Sequence, residues 1–323
     1  PIYKANFLGF SYGFRPGRNQ HQALDAVVVG IQTKRVNWVL DADIKAFFDT
    51  VDHAWMMRFL EHRIGDTRVL RLIRKWLTAG VVENGNKTDV RVGTPQGAVI
   101  LPLLANIYLH YVFDLWAHRW RGRHARGDVM IVRCADDSVL GFESKSDVDR
   151  FLEDMKVRFA QFGLTRNEDT TRVLQLGRFA AQARAKQELA KPPTFDFLGF
   201  THICGKSRSN GWFQLKRLTS AKRMRARLKA IREALMRRMH EPIPVVGRWL
   251  RRVVQGYFNY HAVPGNVDRL DAFRKDVSWA WLYALRRRGQ RGRMPWGRFG
   301  RLVERYLPRA RVLHPYPHQR FAS

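Results

Sequence analysis

Residues 129–142 read Val-Met-Ile-Val-Arg-Cys-Ala-Asp-Asp-Ser-Val-Leu-Gly-Phe. Two apolar runs, Val129 to Val132 and Val139 to Leu140, flank a short polar centre. That is the pattern of two buried strands joined by a tight turn. The centre holds adjacent carboxylates, Asp136 and Asp137. Acids between buried strands must lie at a sheet edge where something compensates their charge. Taken alone, such a pair is most simply a solvated turn, so its meaning depends on the rest of the chain.

Working outward, residues 37–42 (NWVLDA) read as another short apolar strand, running directly into Asp43. If the two strand regions lie side by side in one sheet, Asp43, Asp136 and Asp137 converge at its edge. Hard divalent cations such as Mg²⁺ favour oxygen ligands and keep waters and substrate phosphates as the remainder. Two such ions roughly 4 Å apart can activate an attacking hydroxyl and stabilise a leaving pyrophosphate.

Other elements follow from local signals. Asp52 is placed to cap a helix carrying Trp55, Met56, Phe59 and Leu60. Helices are expected over 66–79, 103–120 and 147–162, and a strand over 172–176. Asn84-Gly85 signals a hairpin between two short strands, and residues 93–97 (GTPQG) form a loop. Pro192-Pro193 breaks the chain before a further hairpin of 195–203 with 212–215. From Ser220 onward the pattern is helical and basic, broken at Pro242, Pro264-Gly265 and Pro295. The fold class is therefore α+β, with an all-helical basic part beginning near residue 218.

Charge separates the same two parts. The 323 residues carry a formal net charge of +30. Residues 201–323 hold 29 Lys and Arg against 6 Asp and Glu, whereas 1–200 hold 29 against 22. A surface so basic attracts polyanions, and counterion release makes nucleic acid the natural partner. Two cysteines, Cys134 and Cys204, exclude a disulfide framework or a zinc cluster. No apolar run approaches the roughly 20 residues that span a bilayer, and no signal peptide is expected. A reducing, bacterial cytoplasm is the expected location. The first residue is Pro1 rather than Met, so an upstream segment is expected.

Taken in order, these stretches resemble the group II intron-encoded reverse transcriptases with their maturase region, the type without an HNH endonuclease. SYGFRPGRNQHQAL (Ser11 to Leu24) is similar to the fingers segment, and VLDADIKAFFDTVDH (Val39 to His53) to motif A. GTPQGAVILPLLANIYLH (Gly93 to His110) resembles motif B, RCADDSVLGF (Arg133 to Phe142) motif C, and FDFLGF (Phe195 to Phe200) the primer grip. YFNYHAVPGN (Tyr257 to Asn266) and LHPYPHQRFA (Leu313 to Ala322) resemble the maturase domain.

The resemblance implies a right-hand polymerase: partial fingers over 1–36, a palm with its primer-grip hairpin over 37–218, and a helical thumb and maturase domain over 219–323. It implies that Asp43, Asp136 and Asp137 are catalytic and hold two Mg²⁺ ions, with Mn²⁺ as a substitute. Ile44, Phe48, Gln96 and Gly97 would bind the nucleotide, Phe48 as the gate against a ribose 2′-hydroxyl. From its residue type alone, Phe48 reads first as a plain core aromatic. Arg15 and Arg18 would approach template phosphates or cap their own loop. Lys222, Arg223, Arg227, Arg251, Arg252, Arg286, Arg287 and Arg288 would contact RNA. Trp249, Tyr257, Phe258 and Tyr260, interleaved with arginines, either stack unpaired bases or pack a helical core.

Three residues depart from the family pattern: Cys134 for Tyr, Leu101 for Ser, and Thr170 for a Lys that would protonate pyrophosphate, with Arg166 or Arg172 as substitutes. The expected activity is RNA-directed DNA polymerisation with splicing assistance. The expected partners are group II intron RNA, an RNA template with DNA primer, dNTPs and a second copy in a homodimer, with no membrane. An RNA-binding maturase with an idle polymerase site is the alternative. A polymerase-like module of phage defence or CRISPR adaptation is a third reading, opposed by the maturase-like C-terminus.

Overall fold

A computed structural model describes residues 2–3, 5–78, 81–83, 86–88, 100–188, 190–207, 210–289 and 294–321. The chain divides into two compact units, residues 1–194 with 204–215 and residues 195–203 with 216–323.

The first unit is built on strands β1 (Trp38–Ala42), β4 (Val129–Cys134), β5 (Asp137–Phe142) and β6 (Arg172–Gln175), in the order β4-β5-β1-β6 with every pairing antiparallel. Preceding or interrupting them are α1 (Gln20–Thr33), α2 (Phe47–Thr50), α3 (His53–Glu61), α4 (Thr67–Thr78) and the short pair β2 (Val81–Glu83) and β3 (Asn86–Thr88). The Asn84-Gly85 turn expected between β2 and β3 lies outside the described residues. Asp52 caps α3, its carboxylate accepting from Trp55 N at 2.8 Å.

Helices α5 (Leu101–Leu109) and α6 (Leu115–Arg123) are joined by a π-helical turn, His110–Asp114. The single helix expected over 103–120 is thus longer and carries a bulge. Pro102, in the first turn of α5, costs nothing there because its missing N–H would be unpaired anyway. Then follow α7 (Lys145–Ala160) and α8 (Ala180–Lys186).

β4 is buried along its whole length and β5 at every residue after Asp137, and successive side chains alternate between the sheet's faces. Leu40, Ile131, Leu140 and Phe142 join a core with Tyr108 and Phe113 of the helix after residue 100 and Phe151 of α7. Met130 points the other way, onto α1, where Gly30 leaves room for its side chain.

The second unit takes β7 (Phe195–Phe197) and parts of β8 (Phe200–Lys206) and β9 (Phe213–Thr219), with α9 (Ala221–Arg237), α10 (Ile243–His261), α11 (Val267–Arg286), α12 (Trp296–Tyr306) and α13 (Pro317–Phe321). Leu228, Leu250, Phe258, Phe273 and Trp281 form its core. Buried Asn266 fixes the break after α10: it accepts from Thr219 N at 2.9 Å and donates to His261 O at 2.8 Å. Among the described residues no helix is long and apolar enough to cross a membrane.

Candidate active site at the edge of the four-stranded sheet

The β4–β5 register ends on the pair Cys134–Asp137, leaving a two-residue link, Ala135-Asp136. Ala135 adopts φ 60, the left-handed region that costs an L-residue about 1 kcal/mol. Something must hold the link in place, and Arg133 does. Its guanidinium, 1% exposed, donates to Ala135 O at 2.9 Å.

The same guanidinium organises three separate segments. Its Nε and Nη2 donate to both carboxylate oxygens of Asp114 at 2.7 and 2.6 Å, a fork-on-fork pair. It also donates to Asn106 Oδ1 at 3.0 Å and Ser11 Oγ at 2.8 Å. Asn106 in turn donates to Gly13 O at 2.7 Å. On the backbone, Tyr12 N donates to Arg133 O and Arg133 N to Phe10 O. The Ser11–Gly13 stretch therefore runs as a prop beneath the acidic tip. A Cβ at Gly13 would collide with the Ala135 backbone nitrogen, so close approach requires glycine here.

The π turn explains how Asp114 reaches Arg133. The residue added by this turn shifts the register of everything that follows and aims Asp114, fully buried, at the guanidinium. His110 lies 3.9 Å from the same carboxylate, but burial pushes its imidazole below its ordinary range. The Arg133–Asp114 pair thus satisfies itself without a charged histidine.

On the neighbouring strand, Ala42 pairs with Ser138, so Asp43 and Asp137 leave the sheet at the same edge. The segment 165–171 lies along Asp43: Lys45 N donates to Thr165 O and Asn167 N to Asp43 O. Asp43 Oδ2 accepts from Thr170 Oγ1 at 3.1 Å and Asn167 Nδ2 at 3.3 Å. The position where the sequence departs from lysine is therefore in contact with the acidic edge. Arg172 reaches Asp41 at 3.8 Å and Arg166 reaches Glu168 at 3.6 Å. Asp136 has its carboxyl pushed above the usual range, first by burial and then by repulsion from Asp43, with Arg133 opposing both.

A half-buried carboxylate whose ionisation is penalised, as that of Asp136 is, suits a divalent cation, which would relieve the repulsion from Asp43. Among the described residues no three His, Cys, Asp or Glu side chains are already gathered in a geometry that could hold a metal ion. The oxygen donors fit the cation, while Asp43 is turned onto Thr170 and Asn167.

The remaining expected residues fall in different settings. Ile44 is buried and bridges to Arg166. Phe48 is half-buried, edge-on to Phe47 at 5.3 Å. Gln96 and Gly97 lie outside the described residues. Arg15 donates to the carbonyls of Phe7, Leu8 and Ser11, closing its own loop, and Arg18 lies over the Tyr12 ring. Leu101 and Cys134 are both buried.

In the second unit Lys222, Arg223, Arg227, Arg251, Arg252, Arg286 and Arg287 are exposed. Arg288 differs, being half-buried and donating to Glu241 O at 2.7 Å. Tyr257 and Phe258 pack the helical core, Tyr257 stacked on Phe273 at 3.7 Å. Tyr260 donates to Leu198 O.

The reverse transcriptase (RNA-dependent DNA polymerase) family matches residues 2–202. The chain is 46% identical over 110 residues to an uncharacterized 91 kDa protein in the cob intron of Schizosaccharomyces pombe, covering 34% of this chain and 13% of that protein. It is 39% identical over 132 residues to protein YkfC of Escherichia coli, covering 40% and 34%. It is 41% identical over 109 residues to the group II intron-encoded protein LtrA of Lactococcus lactis, covering 34% and 18%. The matched stretch spans about a third or less of these relatives' lengths. A solved telomerase from Candida albicans aligns with TM-score 0.42 and 14% identity, over 76% of this chain and 43% of that one. The chain belongs to the reverse transcriptase family, and part of it is similar to a group II intron-encoded member of that family.

Proposed function

We propose that the chain polymerises DNA on an RNA template, with Asp43, Asp136 and Asp137 holding two Mg²⁺ ions, and that it binds and assists its intron RNA. The observation that supports this most is the shared edge: β1 and β5 end together, and Asp43 adds to the penalty on Asp136. When bound, the cations would activate the primer hydroxyl and offset charge on the departing pyrophosphate. Asp43 would turn from Thr170 and Asn167 toward its partners, while the Arg133 network keeps the tip fixed. In this reading residues 37–218 serve as palm and 219–323 as thumb and maturase domain, Ile44 and Phe48 meet the incoming dNTP, and the exposed arginines of α9 to α11 meet RNA. A bacterial cytoplasm suits its two unpaired thiols.

Primer extension on an RNA template with Mg²⁺ and dNTPs tests the proposal. Extension is expected; its absence from a folded, RNA-binding protein would leave the maturase reading, which Thr170 favours by putting a hydroxyl where an acid is needed. Thr170→Lys is accordingly expected to raise the single-turnover rate at least about 10-fold by supplying that acid. An unchanged rate would mean that leaving-group protonation does not limit the step.

The prop beneath the tip yields a further expectation. Gly13→Ala pushes a methyl into the Ala135 backbone, and displacement of a reacting group by about 1 Å can cost about 100-fold. Extension should fall by about 10- to 100-fold with the far-UV spectrum unchanged. A wild-type rate would show that the tip is not held from below.

A further inference from the structure

Helix α11 is apolar on two sides. Phe273, Val277, Trp281 and Leu285 face the core of the second unit, with Trp281 fully buried. Trp279 and Tyr283 recur at helical spacing on the opposite side and are 49% and 57% exposed. Trp296, at the start of α12 and equally exposed, stands edge-on to Trp279 at 5.2 Å. Large aromatics left in water in a cluster mark a surface built to be covered.

Arginines frame the cluster. Arg286 lies over the Trp296 ring at 5.5 Å and Arg287 over Tyr283 at 5.6 Å, donating to the Tyr283 hydroxyl at 3.0 Å. Beside them a shallow cavity of about 320 Å³ is lined by Arg232, Met236, Asp276, Trp279, Ala280 and Tyr283. Flat rings supply stacking faces, guanidinium groups supply phosphate contacts, and one carboxylate can accept from a base amino group. The residues from 201 onward carry 29 Lys and Arg against 6 Asp and Glu, which favours a polyanion over a protein partner.

We infer that Trp279, Tyr283 and Trp296, with Arg232, Arg286 and Arg287, form a stacking platform for an unpaired stretch of nucleic acid, RNA in the first instance. The inference rests on the RNA-binding part of the proposed function and deepens it. It differs from duplex binding in its selectivity: a ring can stack only on a base whose face is not already covered by neighbouring bases, as both faces are inside a duplex. It also moves the base-stacking role from Tyr257 and Phe258, which are buried, to the solvent side of α11.

The test measures the affinity of the full chain, at one fixed salt concentration, for a fluorescent single-stranded oligouridylate, the same sequence as DNA, and a duplex RNA of equal length. Each lost stack weakens binding by roughly 5- to 100-fold, so Trp279→Ala/Tyr283→Ala, which removes two, should raise the Kd for single-stranded RNA by at least about 25-fold. Duplex affinity should change by less than about 2-fold, and Trp279→Phe should keep near-wild-type affinity because a ring remains. Both positions are exposed, so the melting temperature serves as the check on folding. Equal losses in the single-strand and DNA arms keep the platform and widen its ligand to either nucleic acid.

Unchanged single-strand affinity in the folded double variant would overturn the platform alone. So would equal loss on single strand and duplex, or a changed oligomeric state by sedimentation with RNA affinity intact. A wild-type chain that binds none of the three probes removes the RNA-binding reading and the platform together.

Discussion

Asp136→Asn is expected to abolish primer extension, by about 10³-fold or more, while raising the melting temperature of the metal-free protein at pH 7. The first half follows from the loss of one of three oxygen donors at a proposed two-cation centre, where several kcal/mol of transition-state stabilisation rest on the ions and each 1.4 kcal/mol is tenfold. The second half follows from linkage. Burial and the neighbouring Asp43 raise the Asp136 carboxyl above its ordinary value in the folded chain. The folded state therefore binds that proton more tightly than the unfolded state, and stability falls as pH rises through the raised value.

At neutral pH the ionised carboxylate is thus a cost, which the neutral amide removes. Below the unfolded carboxylate value of about 4 both forms are uncharged and the advantage of asparagine should vanish. Adding Mg²⁺ should raise the melting temperature of the wild type more than that of the variant, because a cation that binds only the folded state stabilises it. Thermal scans at pH 3.5 and 7, with EDTA or Mg²⁺, separate these terms. Persistent extension would remove Asp136 from the chemistry. A lower metal-free melting temperature at pH 7 would show that the carboxylate is better accommodated than its burial implies.

Much of the site's scaffold could be read from local pattern. The β4–β5 hairpin announces itself through β-branched runs on both sides of two acids, and β1 through its run into Asp43, because burial on both faces demands unbroken apolar strands. The Asp52 cap was equally visible, since a side-chain acceptor three residues before a free N–H needs only local geometry. What escaped depends on contacts between distant segments. Arg133 looked like one residue of a motif, and its links to Ser11, Asn106 and Asp114 span up to 122 positions. The available signal was Asn106, His110 and Asp114 inside an otherwise apolar helix, since buried polar groups require partners.

The π turn could not be read at all, because residues 104–110 are buried without a break and leave no one-sided stripe for the inserted residue to shift. The aromatics of the second unit failed for a related reason. Trp279 and Tyr283 share α11 with a second apolar stripe through Val277 and Trp281, so periodicity alone does not say which stripe faces water. Tyr257 and Phe258 take the second of the two roles open to them and pack the core.

The Arg133 network supports a second large effect. Arg133→Met or Asp114→Leu alone leaves one buried charge without its partner, which costs about 3–5 kcal/mol. At roughly 2–4 °C per kcal/mol for a unit of this size, the melting temperature should fall by about 10 °C. The double variant Arg133→Met/Asp114→Leu removes both charges and fills the space with apolar groups, so most of that loss should be recovered. Activity should not recover with it. Ala135 O and Ser11 Oγ lose the guanidinium that ties them together, and the strained Ala135 link is released from its clamp. The double variant is therefore expected to melt near the wild type yet extend primers about 100-fold more slowly. That split distinguishes holding the acidic tip in place from holding the fold together. Wild-type extension by a stably folded double variant would reduce the network to packing, and the tip would then owe its position to the β4–β5 register alone.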